Sequence, residues 1–143
     1  MSIEEENVSL IRKQVTAMNE RDFEEMLRNL SPEFVRHDLA DAIPGVAGAA
    51  GASNFFQTVS AGFSDLELEI IDIYCGGDRV TMRYIARGTQ DGEFLNVPPT
   101  GKRMEMNGIH IYRISEGKIA ETWQLMDVWG LMRQVGAIDL QYN

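Results

Sequence analysis

His110 and Asp127 are the residues of the C-terminal half whose types and spacing suit proton chemistry, and Gln124 lies between them. All three belong to one stretch, Gly108 to Leu131, which reads as a strand, a tight turn at Ser115-Glu116-Gly117, a second strand and an Asp-opened helix. An imidazole with an ordinary pKa of ~6.5 exchanges a proton near neutrality. A carboxamide donates hydrogen bonds but cannot act as a base. Strand alternation puts Met106, Gly108, His110 and Tyr112 on one face of the first strand, and Thr122, Gln124 and Met126 on one face of the second. Asp127 falls in register with Trp123 on the opposite face and at a helix start, so N-capping is its expected work and catalysis only a weak second.

Elsewhere the chemistry-bearing residues are sparse. His37 either lines a pocket or sits at its mouth, and Tyr84 is a hydroxyl donor or a core residue. Phe55, Phe56, Phe63 and several methionines, Met126 among them, suit the wall of a greasy pocket because Met adapts to irregular ligands. Ordinary core packing accounts for them equally well.

The elements that must position these groups follow from periodicity. Val8, Ile11, Val15 and Met18 form the apolar stripe of a first helix, and Asp22 caps a second, short one. Pro32 precedes a β-leaning stretch from Glu33 to Asp38. The small-residue segment Ala40 to Gly51 reads as a connector or a flap over a cleft. A third helix runs through Ser53 to Ala61. Leu66 to Cys75 and Val80 to Thr89 are strands joined by a Gly76-Gly77-Asp78 turn. Asp91 to Thr100, with two prolines, is a rim loop, and strands at Lys102 to Ile114 and Lys118 to Met126 lead into a last helix that Gly136 ends. Helices first and hairpin strands afterwards argue for an α+β fold: a curved antiparallel sheet wrapped by the N-terminal helices into a cone with an interior pocket.

Composition narrows the function classes. A chain of 143 residues, 44% of them hydrophobic, suffices for one domain spanning residues 1–143 with a real core. No apolar run approaches the ~20 residues of a membrane span, and the acidic start MSIEEENVS is unlike a signal peptide, so a cytoplasmic location is expected. Cys75 has no cysteine partner, and two histidines make no zinc set, so no metal is expected. A net charge of −9 offers no basic stripe for nucleic acid. Trp123 and Trp129 suit sheet–helix or subunit packing and favour a homodimer.

Pro98-Pro99-Thr100-Gly101-Lys102, His110 to Ile114, Gly117-Lys118-Ile119, Glu121, Trp123, Asp127, Gly130-Leu131 and Gln134-Val135-Gly136 together resemble the SnoaL-like polyketide cyclases, within the nuclear-transport-factor-2-like superfamily of α+β cones. The resemblance implies a cofactor-free enzyme that closes a ring on a hydrophobic polycyclic substrate by intramolecular aldol condensation. It further implies a pocket histidine followed, fourteen residues on, by a catalytic aspartate. Counting from His110 lands on Gln124, so the acid's position holds a carboxamide. His110 and Gln124 are then the expected catalytic pair, with His37, Phe56, Tyr84, Gly108, Thr122 and Met126 around the substrate. The alternatives are a binding module that kept the cone and lost the acid, or an isomerase or epoxide hydrolase in the same pocket. An isomerase needs an inward carboxylate, for which Asp72 is the candidate.

Overall fold

In the computed structural model, residues 1–37 and 48–139 are described, so most of the small-residue connector lies outside the described residues. Helix α1 (Ile3–Glu20) opens with a capping box: the Ser2 side chain accepts from the Glu5 amide, and the Glu5 side chain accepts from the Ser2 amide. It ends at Arg21, whose φ of 57° turns the chain back, and Asp22 caps α2 (Phe23–Arg28). Strand β1 (Leu30–His37) and helix α3 (Ala49–Gly62) follow. The α3 helix starts ahead of Ser53 because alanine, a strong helix former, fills its first turn.

Strands β2 (Glu67–Gly76), β3 (Arg79–Thr89), β4 (Arg103–Ser115) and β5 (Lys118–Met126) form successive antiparallel pairs, and α4 (Val128–Gln134) closes the described chain. Sheet order is β1-β5-β4-β3-β2. The α+β layout is the one expected, with one departure: β1 runs parallel to β5. A parallel neighbour needs a long crossover, here the whole of α3 to β4. Pro32 is tolerated because β1 is an edge strand.

The helices pack on one face of this sheet. Inward positions on β3 (Val80, Met82, Tyr84, Ala86) and β4 (Met104, His110, Tyr112, Ile114) are buried with Ile11, Val15, Met26, Phe56 and Phe63 from the helices. Polar side chains fix the layers. Asn19 at the end of α1 exchanges two hydrogen bonds with the Leu68 backbone, of 2.9 and 2.8 Å, and so pins β2 to the helix. Fully buried Gln90 donates to the carbonyls of Val97 and Pro98 and accepts from the Thr100 hydroxyl, which holds the rim loop down over the sheet. Gly136, at φ 83°, terminates α4 as expected. No helix among the described residues is long and apolar enough to cross a membrane.

Candidate active site

Between the helices and the inner sheet face lies a cavity of about 350 Å³, within the usual range of small-molecule sites. Its wall is largely apolar: Met18, Met26, Phe34, Phe56, Met106 and Leu131 contribute, with Phe94 and Leu95 from the rim loop. No Asp or Glu lines it among the described residues.

Three cross-strand rows carry its polar groups. The first row runs Arg36, Thr122, Tyr112 across β1, β5 and β4. The second places Gln124 beside His110, and the third aligns Met126, Gly108 and Tyr84. His110 is the hub. Its Nε2 is 3.0 Å from the Tyr84 hydroxyl and its Nδ1 is 2.9 Å from the Tyr112 hydroxyl. A neutral imidazole has one N–H and one bare nitrogen. One tyrosine therefore donates to His110 and the other accepts from it, leaving the accepting tyrosine's own O–H available to the cavity.

Burial, with a smaller contribution from nearby Arg36, drives the His110 pKa down to about 3, so the ring is neutral at neutral pH. Burial likewise pushes both tyrosines up, keeping them protonated. Gln124 and Thr122 are buried and face the cavity, and the Thr122 hydroxyl has no protein partner among the described residues.

Arg36 is the residue that sequence reasoning missed. Its guanidinium lies in the cavity wall, 5.6 Å above the Phe55 ring, and Nε and Nη1 are buried without a hydrogen-bond partner among the described residues. The signal was available: Phe34 is an apolar anchor two residues earlier, and period-2 alternation puts Arg36 on the same face. Tyr112 was on His110's face by the same count but was not singled out.

Of the sequence-derived residues, His110, Gln124, Tyr84, Thr122, Met126 and Phe56 all line the cavity. His37 does not. It sits on the outer face, paired with Glu121 and stacked on Trp123 at 5.1 Å, because its parity is opposite to that of Arg36. Gly108 also does not line the cavity. A side chain there would overlap the Tyr84 ring, so its role is to make room for that ring. Asp127 caps α4, accepting from the Gly130 amide at 2.9 Å, and stays outside the cavity. Asp72 points outward and pairs with Arg83. A bulge between Ile70 and Asp72 inserts one residue and reverses the parity expected from Ile70. No cluster of three or more His, Cys, Asp or Glu residues suited to a metal exists among the described residues.

Residues 9–135 match the family model of the SnoaL-like polyketide cyclases. The chain is 25% identical over 130 residues to the aklanonic acid methyl ester cyclase DnrD of Streptomyces peucetius, covering 90% of each sequence. Among solved structures, AclR of Streptomyces galilaeus, described as a candidate hydroxylase, superposes with a TM-score of 0.85 at 26% identity, over 95% of this chain and 99% of that one. IdmH of Streptomyces antibioticus superposes with a TM-score of 0.81 at 30% identity, over 91% and 98%. The chain belongs to the SnoaL-like polyketide cyclase family, with the nuclear-transport-factor-2-like α+β fold of its members.

Proposed function

We propose that this protein is a cofactor-independent cyclase that closes a ring on a hydrophobic, polyketide-like substrate by aldol chemistry. The observation that carries this reading is the His110 imidazole held between two tyrosine hydroxyls on the floor of an apolar cavity. The aldol step moves a proton off a carbon beside one carbonyl, joins that carbon to a second carbonyl carbon, and leaves a hydroxyl there.

The Tyr84–His110–Tyr112 chain suits the first part as a relay. The donating tyrosine takes the carbon's proton as its own passes to the bare imidazole nitrogen. The imidazole N–H passes to the other tyrosine, whose hydroxyl proton goes to the substrate's carbonyl oxygen. The result is an enol and a neutral chain with the imidazole in its other tautomer, so no lasting imidazolium is required. The enol carbon then attacks the second carbonyl, and the Gln124 amide donates to the oxygen that gains negative charge. The enol proton passes back through the chain in the reverse sense, so that the first tyrosine delivers a proton to that oxygen and the starting tautomer is restored. Preorganised donors in a dry site supply the stabilisation.

The test is ring closure of a linear aromatic diketone followed by mass spectrometry and absorbance. The natural chain should turn it over, with Tyr84→Phe and Gln124→Leu each slower by about 10²-fold. The absence of a carboxylate from the cavity wall among the described residues favours one second reading, a binding module. Tight binding of the diketone without closure would select it.

The same proposal includes a homodimer formed through the outer sheet face. Its support is the exposure there of Val35, Ile109 and Leu125, at 43%, 48% and 75%.

A further inference from the structure

We propose that Arg36 and Thr122 form a carboxylate subsite, so that this protein takes a substrate bearing a free acid group rather than an esterified one. The inference rests on the reading of the cavity as a small-molecule site and specifies the charge of its occupant.

The two residues are direct neighbours in the β1–β5 register. Both line the cavity, and between them they present three buried polar atoms without partners among the described residues: Arg36 Nε, Arg36 Nη1 and Thr122 Oγ1. These are donors from a cation and a hydroxyl, the set that an anionic oxygen accepts from. A guanidinium stays charged in a protein, and burying it uncompensated is unfavourable. Among the described residues the compensation around Arg36 is slight. The Phe55 ring face lies 5.6 Å away. The tyrosine hydroxyls of the same face, Tyr84 and Tyr112, are neutral, as is His110. No carboxylate among the described residues lines the cavity, and a ligand's own carboxylate would supply that counter-charge.

An ester could accept hydrogen bonds here but could not neutralise the cation. The chain's net charge of −9 does not oppose this reading. Surface charges are screened beyond about 8–10 Å in physiological salt, whereas a contact with the guanidinium is not.

The subsite also orients the substrate. Arg36 and Thr122 share a row with Tyr112, two residue pairs along the strands from the His110–Gln124 row and next to it on the same face. A carboxylate held there places the rings of the same molecule over His110, against the apolar wall.

The experiment is calorimetric titration of the full chain with anthracene-2-carboxylate and with its methyl ester, neither of which can cyclise. The acid should bind more tightly than the ester by about tenfold to a hundredfold, the range for hydrogen bonds to a charged group. Arg36→Met should abolish that preference while ester affinity stays within about threefold; an apolar replacement of a buried ion is commonly tolerated by the fold. Thr122→Val, nearly the same shape, should weaken the acid alone, by about threefold to tenfold. Equal affinities in the natural chain, a preference for the ester, an acid preference that survives Arg36→Met, or no binding by either compound would each overturn the proposal. Turnover is not measured, so a failure of the cyclase reading leaves this contrast intact, and loss of the contrast leaves the cyclase reading standing.

Discussion

Gly108 faces Tyr84 across the β3–β4 ladder, and the phenol lies in the space that a side chain at Gly108 would fill. The absent side chain lets the Tyr84 hydroxyl reach within 3.0 Å of His110. Gly108→Ala should therefore displace the ring, at a cost of about 1–3 kcal/mol from overpacking, and slow turnover together with it. Urea unfolding and the ring-closure assay check this. A stability change under about 0.5 kcal/mol with unchanged turnover would show that the ring has room to move.

The pH dependence of stability follows from His110. Its pKa falls from 6.5 to about 3 on folding, so below pH 6.5 the unfolded chain binds a proton that the folded chain refuses. Stability from this group is complete above pH 6.5 and declines by about 1.4 kcal/mol per pH unit as the pH falls toward 3. His110→Gln should flatten that part of the stability curve, measured by urea unfolding at pH 7 and pH 4.5. The same shift makes kcat/KM level from pH 5 to 8, and an inflection near 6.5 that disappears in His110→Gln would contradict a neutral relay.

Asp127 separates capping from catalysis. Its carboxylate accepts from the Gly130 amide at the first turn of α4, so Asp127→Ala should lower stability by about 1 kcal/mol. Turnover per folded molecule should remain within twofold, roughly the spread expected of a surface site. A hundredfold loss of kcat at unchanged stability would return Asp127 to the chemistry.

The outer sheet face tests the dimer. Leu125 is 75% exposed beside Trp123, whose ring carries His37 on one side and has the Arg79 guanidinium 4.7 Å from its centroid. Leu125→Glu should convert a sedimenting dimer to a monomer at the same protein concentration. A natural chain that sediments as a monomer, or a variant that stays dimeric, removes this interface.

How much of this was legible beforehand depended on the range of the interactions involved. Local chemistry was readable: the capping by Asp22 and Asp127, the turn at Glu116-Gly117, and the period-2 faces that put His110, Tyr112, Thr122 and Gln124 together all depend on neighbours within one turn or one hairpin. Non-local pairing was not. The parallel seating of β1 on β5 joins Arg36 to Thr122, 86 positions along the chain, and it also turns His37 outward onto Trp123. The bulge after Ile70 removed Asp72 from the cavity by inserting one residue, an event the alternating pattern cannot announce. The sequence by itself determined the fold class, the family pattern and a carboxamide in place of the acid. Only the tertiary structure decided that His110 is neutral and bound at both nitrogens, and that the cavity's charge is a half-buried arginine, because desolvation and cross-strand neighbours exist only once the helices close over the sheet.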